Sequence, residues 1–558
     1  MRVLLPVARG LAGLAPGVGE PLLGALLLRC LTPGWVLLRP SPPARLLAWA
    51  EEAVAVARRA RPNHPSRPVR LARALALHAH ALDALGRHEE ACAVVAAADA
   101  VPGAGLSQAQ TAFLLHVRAQ ALLGSGRADE ALEAARRCVE TYRHGPAPAG
   151  RDRVLGSLPG ALRTYGLVLG VLGHTEQSVL VYEECAAVLR SMSLRESSRV
   201  LLVMARVFVE LVGGLKALGR HEEALALGPE ARESLGGGIA LAYPGIVPPL
   251  RAQLLVDLAD CHGAKGEWDT ARTTAEEAVA GTRTPAGAAW LPVALRCLAD
   301  TLAEVDAPDE ELSTLQELAD LYSEASPDTD PPLAKTLDDL ARCHRRAGRH
   351  REAVAATERG IAAYRRAVAR DAAHEPELAR VLANLSLRQD DAGGAESAVV
   401  SAREALTLTR RLAESDWETY HPLTARRLRV LGQALRSAGD LAGTVSCYEE
   451  AEAVLGEHRD RQGVGAELAT IRSVLADALR AGAVVTDVDA KVTALRSLLA
   501  LTRRADATDV HAICVRAFTE ARTDRAVRAW ERATGQPYPT FVYRPTTERG
   551  RGSNPAAR

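Results

Sequence analysis

The chain has 558 residues and no net charge, because its basic and acidic side chains number 68 each. This balance excludes the large positive excess typical of proteins that bind nucleic acid along their whole length, so we expect no nucleic-acid partner. The content of 48% hydrophobic but only 4% aromatic residues fits a folded protein, and the abundance of alanine, leucine and arginine favours helix.

The N-terminal segment is apolar but short. Residues 21–28 read PLLGALLL, Arg29 follows at once, and Pro33 and Gly34 end the run. A helix that spans a bilayer needs about 20 apolar residues, and the segment lacks the basic start and small-residue cleavage site of a signal peptide. We therefore expect residues 1–69 to form N-terminal capping helices, without stable membrane insertion, in a cytoplasmic protein. A membrane-associated segment is the alternative for residues 1–43.

A seven-residue string marks a repeat. LGRHEEA occurs at 85–91 and again at 218–224, and AGRHREA follows at 347–353. Positions like the glycine of this string recur at intervals of 40 to 47 residues, which is the sequence signature of a solenoid. These positions are Gly86, Gly126, Gly173, Gly219, Gly266, Asp306, Gly348, Gly393, Gly439 and Gly482, with Asp306 and Gly482 as the weaker members.

Each repeat predicts two antiparallel helices joined by a tight turn. A leucine and a small residue precede the glycine, as at Leu75 and Ala79, and another small residue follows it, as at Ala91. Small side chains let two helices approach closely, while leucines fill the space around the contact. The glycine ends the first helix, where left-handed backbone geometry is favourable. The acidic pair Glu89 and Glu90 then begins the second helix at the positive end of its dipole.

This pattern resembles the tetratricopeptide repeat (TPR), which also has a small residue in its first helix, a helix-ending glycine and an alanine early in its second helix. The resemblance covers residues 70–505. It implies an all-α fold, a right-handed superhelical solenoid of about ten antiparallel helix pairs. The unit exceeds the usual length of about 34 residues, as in the TPRs of kinesin light chains and of many high-GC bacterial proteins. We expect C-terminal capping helices over residues 506–545 and a disordered tail over residues 546–558.

The sequence contains no recognisable catalytic or cofactor motif. Neither the P-loop pattern nor HExxH occurs, and His88 lacks a second histidine four residues later. The nine cysteines include no CxxC pair, so we expect small buried side chains rather than a zinc site or a disulfide framework. We therefore expect a protein that is not an enzyme and that holds no cofactor and no metal.

The first helices supply the expected binding surface, because the TPR resemblance implies an inner groove in which a peptide or a partner's helix lies. In units seven to nine the groove positions are rich in arginine, whose guanidinium suits carboxylates and phosphates. These candidates are Arg342, Arg345, Arg346, Arg380, Arg388, Arg426, Arg429 and Arg436. In units one to five the corresponding positions are Arg73, His80, Phe113, His116, Gln120, Arg163, Arg206, Lys216, Gln253 and Asp260. The alternative is that arginine is simply the solubilising residue of this chain.

These observations favour a non-catalytic interaction scaffold that binds a protein or peptide partner, preferably an acidic one, in the groove. A second hypothesis is a regulatory subunit that senses a signal peptide and controls a separately encoded effector. A third is an enzyme that uses the C-terminal TGQPYPTFVYRP, although that segment is too short for a fold of its own. Self-association of the array is open on the sequence alone.

Overall fold

A computed structural model describes residues 4–14, 16–31, 43–60, 66–103, 105–144, 158–192, 198–458, 464–484, 487–504 and 508–540. These residues form α-helices and three short 3-10 helices, and no strand occurs among them. The α-helices are α1 (Leu4–Leu14), α2 (Pro16–Leu31), α3 (Pro43–Arg59), α4 (Arg67–Asp83), α5 (His88–Asp99), α6 (Gln108–Gly124), α7 (Ala128–Arg143), α8 (Leu158–Val171), α9 (Thr175–Ser191), α10 (Ser198–Ala217), α11 (His221–Ser234), α12 (Gly237–Ala242), α13 (Val247–Ala264), α14 (Trp268–Thr282), α15 (Leu291–Glu304), α16 (Pro308–Glu324), α17 (Asp330–Arg346), α18 (His350–Arg370), α19 (Glu375–Asp391), α20 (Ala395–Ser415), α21 (Trp417–Ser437), α22 (Leu441–Glu457), α23 (Val464–Ala483), α24 (Val488–Arg504), α25 (Thr508–Glu520) and α26 (Asp524–Thr534). The predicted tail, residues 546–558, lies outside the described residues.

The helices form consecutive pairs within two compact units, Met1–Ala307 and Pro308–Arg558. The first unit holds the pairs α4/α5, α6/α7, α8/α9, α10/α11 and α13/α14, and the second holds α17/α18, α19/α20, α21/α22 and α23/α24. In both units the first helix of a pair packs on its own second helix. The first helices of the first unit also contact the first helix of the next pair, as α19 and α21 do in the second unit. The predicted all-α solenoid of helix pairs is confirmed.

Most of the turns between paired helices share one geometry. Eight predicted turn glycines have φ between 70° and 84°. At Gly86 the backbone N–H donates to the Asp83 carbonyl (2.9 Å), and the N–H of Arg87 donates to the Leu82 carbonyl (3.0 Å). This pair of bonds ends a helix in a Schellman motif. Asp306 has the corresponding conformation with φ 53°, and among the described residues it is the only non-glycine with positive φ.

The tenth turn is where the sequence-based prediction was wrong. Gly482 lies inside α23, which ends at Ala483, and α24 begins at Val488. A Cβ atom at Gly482 would lie 3.4 Å from the Cβ of Ala494 in α24. Gly482 therefore lies where α23 contacts α24. The turn comes later in the chain because the alanine-rich segment around Gly482 continues the helix for one more residue.

Close approach of paired helices depends on the small positions. Gly166 in α8 lies against the ring of Tyr182 in α9, and a Cβ there would stand 2.7 Å from the ring. The Ser178 hydroxyl donates a hydrogen bond to the Gly166 carbonyl oxygen (2.7 Å). Gly432 and Tyr448 repeat this contact in the second unit, again at 2.7 Å. The glycine thus makes room for a buried aromatic ring where most pairs use alanine.

Further helices pack on both ends of the paired array. α2 packs on α1 and α3, and α3 packs on α4, with Leu23 and Leu27 buried between them. After α24, the rings of Phe518, Trp530 and Tyr538 meet edge to face at centroid distances of 5.3 to 6.0 Å. These helices occupy the positions for which the sequence predicts caps, although the exact domain limits stay a prediction. None of the described helices combines the length and apolar character needed to cross a membrane.

Exposed ion pairs link the second helices of neighbouring pairs. In each, an arginine near the end of one second helix donates to a glutamate on the next second helix. The pairs are Arg143–Glu184, Arg190–Glu230 and Arg232–Glu277 in the first unit, and Arg365–Glu404 and Arg410–Glu450 in the second. We name this series of ion pairs the second-helix ladder.

The cysteines fill packing positions. All eight cysteines with described side chains are free, and six of them are buried. Cys138 shows the pattern, since its thiol donates to the Ala112 carbonyl of the neighbouring first helix at 3.1 Å. Burial raises the pKa of this thiol to about 12, so Cys138 stays neutral.

Replacing Gly166 with alanine should destabilise the chain by about 1–3 kcal/mol, because the new methyl group overlaps the Tyr182 ring. Gly170→Ala is the matched control on the same helix, since its Cβ would meet only the Ser178 hydroxyl at an ordinary 3.5 Å. That change should leave stability unchanged or raise it by up to about 1 kcal/mol. Urea unfolding followed by circular dichroism measures both, and equal effects of the two substitutions would contradict the close packing.

Candidate functional site

The eight candidate arginines lie on α17, α19 and α21, the first helices of three successive pairs in the second unit. Six of them already have carboxylate partners on other helices of that unit. The ion pairs are Arg342–Glu311, Arg346–Glu311, Arg345–Asp391, Arg380–Asp338, Arg388–Asp338 and Arg426–Glu467. A high arginine content on this surface therefore reflects, for the most part, bonding between neighbouring pairs.

Arg388 lies in the interior and is unsuited to a partner. Its side chain and that of Asp338 are only 7% and 11% exposed, and the guanidinium donates to the Asp338 carboxylate at 2.6 Å and to the Thr357 hydroxyl at 2.7 Å. Arg380 donates to the same carboxylate at 2.8 Å. Burial alone would raise the pKa of Asp338, but the two guanidinium groups lower it below its ordinary value.

Glu311 is a second buried carboxylate, and it is 1% exposed. Arg346 donates to it at 3.1 Å, and the guanidinium of Arg342 lies 3.7 Å away. Both arginines keep an outer surface, since Arg342 is 55% and Arg346 39% exposed at the side chain. Their first role is nevertheless to neutralise Glu311, because a buried charge without a partner is strongly destabilising.

Arg429 and Arg436 are the two candidates that remain available. Among the described residues, no carboxylate oxygen lies within ion-pair distance of either guanidinium. Arg436 is exposed and Arg429 is half-buried. Sequence reasoning missed a third such residue, Arg427, whose pKa burial lowers and whose buried Nε atom has no hydrogen-bond partner.

The corresponding surface of the first unit contains a cavity. It has a volume of about 40 Å³ and lies among the first helices α4, α6, α8 and α10. Its lining residues are His80, Phe113, His116, Gln120, Gly160, Arg163 and Val203. Five of these, His80, Phe113, His116, Gln120 and Arg163, are groove positions that the sequence predicts, whereas Gly160 and Val203 are not among them. We call this space the α6 cavity.

Polar atoms around the α6 cavity lack hydrogen bonds. Nδ1 of His80, Oε1 of Gln120 and Nε of Arg206 are buried, and no described group bonds to them. Each such atom costs about 1–3 kcal/mol relative to one that is hydrogen-bonded. Native proteins contain few of them. Their occurrence at one cavity makes it the strongest candidate for a ligand site in the first unit.

The titratable groups beside the α6 cavity leave it positively charged. Burial lowers the pKa of His80, and burial together with His80 and Arg163 lowers that of His116 to about 3. Both histidines are therefore neutral at physiological pH. Arg163 and Arg206 supply the positive charge, and no carboxylate oxygen of the described residues lies within ion-pair distance of either.

Glu210 is an acidic group that interacts electrostatically with both arginines, and burial raises its pKa while Arg163 opposes that effect. Burial, followed by the proximity of Arg163, lowers the pKa of Arg206. Among the described residues, no cluster of three histidine, cysteine, aspartate or glutamate side chains could hold a metal ion. The cavity's chemistry is therefore that of hydrogen bonding and anion pairing.

Neither a family model nor a curated protein matches the sequence. Among solved structures, the chain is similar to the apo form of RapI at 10% identity, with 70% of this chain and 99% of that chain covered and a TM-score of 0.45. It is similar to the apo form of the quorum sensor NprR from B. thuringiensis at 12% identity, with coverage of 69% and 97% and a TM-score of 0.47. A putative kinesin light chain with TPR-like repeats from Podosopora anserina shows 18% identity, coverage of 39% and 96%, and a TM-score of 0.30. The predicted TPR-type architecture is confirmed by the helix pairs and turns of the chain itself.

Replacing Arg388 with methionine should destabilise the chain by about 3–5 kcal/mol, because it leaves the buried Asp338 carboxylate with fewer cationic partners. Arg436→Met is the matched control on the neighbouring first helix, and it should change stability by less than about 0.5 kcal/mol. Urea unfolding of the two variants checks this. A mild effect at Arg388 would mean that Arg380 alone holds Asp338.

Asp338 should also make the stability of the chain depend on acid pH. Its pKa is lower in the folded chain than in the unfolded chain, so its stabilisation is present above the ordinary aspartate pKa of about 3.9 and is lost as the pH falls through the folded-state value. In Asp338→Asn the stability at neutral pH should fall, and the loss of stability below about pH 4 should be shallower than in the unmodified chain. Asp328→Asn, at an exposed position, should leave the acid profile unchanged.

Proposed function

We propose that this chain is a non-catalytic interaction scaffold that binds a peptide or a helix of a partner protein along the surface of its first helices. The proposal is carried by the distribution of unpaired polar groups. In the second unit six of the eight candidate arginines are bound to carboxylates, whereas Arg163 and Arg206 in the first unit and Arg429 and Arg436 in the second have none within ion-pair distance among the described residues. Unpaired guanidinium groups that are partly buried favour an anionic partner.

An acidic partner agrees with the rest of the surface. Five of the six paired arginines still present exposed edges, as the side-chain exposures of Arg342, Arg345 and Arg426 show. Their positive charge is largely cancelled by their own carboxylates, however, so they contribute little net attraction. We therefore place the specificity for an acidic segment in the unpaired arginines and treat the others as part of the fold.

We propose regulation as a second function, in which the chain binds a signal peptide and controls a separate effector. The buried atoms without hydrogen bonds favour regulation, because a ligand that satisfies them stabilises the folded state by an amount that rises with the logarithm of its concentration above the Kd. A regulatory subunit would convey such a ligand-dependent gain in stability to its effector.

Replacing both Arg429 and Arg436 with serine should weaken partner capture about tenfold or more, because two unpaired positive charges leave the first-helix surface. Arg359→Ser with Arg403→Ser is the matched control, since both arginines are exposed and lie on the second helices α18 and α20. The measurement is capture of partners by the intact chain from a lysate of its native host, quantified by mass spectrometry at low and high salt.

Partners that bind through this surface should be lost from the Arg429 and Arg436 variant, retained by the control, and weakened by salt. Equal capture by both variants with no effect of salt would contradict an acidic partner at the second unit. Turnover of a nucleotide or a peptide by the purified chain would contradict the scaffold itself. The first-helix variant replaces Arg429 and Arg436, rather than Arg342 and Arg346, because the latter hold the buried Glu311.

A further inference from the structure

We infer that the α6 cavity binds a peptide carboxylate, with Arg163 as its ion-pair partner and Gln120 as the acceptor for a neighbouring peptide N–H. This inference rests on the proposed function and assigns it a site in the first unit. The carboxylate is that of an aspartate, a glutamate or the peptide's own C-terminus, and the side chain next to it packs on the apolar wall of the cavity.

Two cations at the α6 cavity, Arg163 and Arg206, have no carboxylate within ion-pair distance among the described residues. Arg163 lines the cavity and Arg206 lies one turn beyond its lining residue Val203 on α10. Together they carry two positive charges, and Glu210 supplies at most one negative charge. The cluster thus keeps at least one net positive charge in a place that is partly removed from water. A bound anion would neutralise this remaining positive charge.

The unsatisfied acceptor at the α6 cavity favours a peptide over a free inorganic anion. Oε1 of Gln120 is buried and accepts no hydrogen bond, so a ligand that fills the site must bring a donor as well as an anion. A backbone N–H beside a carboxylate provides both. Inorganic phosphate at neutral pH offers mainly acceptors, so it suits Oε1 of Gln120 less well than a peptide N–H does.

The shape of the cavity fits the same ligand. Its volume of about 40 Å³ accommodates about three water-sized atoms, which is the size of a carboxylate group. The ring of Phe113, which meets His80 edge to face at 6.1 Å, and the side chain of Val203 form an apolar wall beside it. Since both histidines are neutral, the wall adds no further charge.

The stability of the free chain gives a first test that needs no ligand. A partly buried guanidinium without a carboxylate costs stability, whereas one held by a buried carboxylate contributes to it. Arg206→Gln should therefore raise the melting temperature of the free chain or leave it unchanged, while Arg388→Gln should lower it. A clear drop for Arg206→Gln would show that Arg206 serves the fold, and would overturn its place in a ligand site.

The binding test uses peptides selected from a random library on the full chain, then synthesised with a fluorescent label. Each is compared with a form in which its carboxylate is converted to the amide, and Arg163→Gln is compared with the unmodified chain. Loss of either partner should reduce affinity at least tenfold, and loss of both should cost little more than loss of one, because the two groups bind each other. Arg345→Gln, on a first helix of the second unit, is the control and should change affinity less than twofold.

The remaining outcomes separate this inference from the proposed function. Peptides that bind equally well to Arg163→Gln, but lose affinity in the Arg429 and Arg436 variant, would overturn the α6 cavity as the site and leave the scaffold intact. Displacement of the peptide by inorganic phosphate at similar concentration would overturn the preference for a carboxylate. Failure of every selected peptide to bind the folded chain would overturn both proposals.

Discussion

Two helices can run side by side at the separation found here only if the side chains between them are small. A glycine turn imposes this constraint on most pairs, because a Schellman motif returns the chain after very few residues and leaves no room to separate the helices. The contact at Gly166 and Tyr182 shows the limit, since even a methyl group on the first helix would overlap the ring. Leucines fill the space around this contact, and the close approach of the two helices does not restrict the residue type at their other positions.

Freedom at those other positions explains why the first-helix surface differs along the chain. In the second unit it is crossed by arginine–carboxylate links that join neighbouring pairs, with Asp338 and Glu311 buried at their centres. In the first unit the same surface has neutral histidines, a glutamine and two unpaired arginines around a small cavity. Similar positions of the repeat thus link neighbouring helix pairs in the second unit and leave polar groups without hydrogen bonds in the first unit. The number of arginines on a surface says less about binding than whether each has a partner.

Sequence periodicity predicts much of this fold, because a turn glycine and its flanking small residues obey local rules. Nine turns and the groove positions of five cavity residues follow from counting along the chain. The tenth turn does not, because around Gly482 alanine continues the helix and nothing local stops it. The partner of Arg388 does not follow either, since Asp338 lies one repeat earlier and the two meet only after the pairs have packed. A repeat pattern predicts the face on which a side chain lies, but not which charge from the neighbouring repeat will reach it.

The second-helix ladder has a consequence for how the chain comes apart. Each ion pair of the second-helix ladder joins two adjacent helix pairs. A helix pair inside the ladder is therefore linked to a neighbour on both sides, while a pair at its end is linked on one side only. In a linear array, stability is a sum of each repeat's own contribution and its contacts with its neighbours. Within the first unit, local unfolding should therefore start at the outermost helix pairs of the ladder and proceed inward. The central pairs, around α8 and α10, should be the last to exchange their amide hydrogens with solvent.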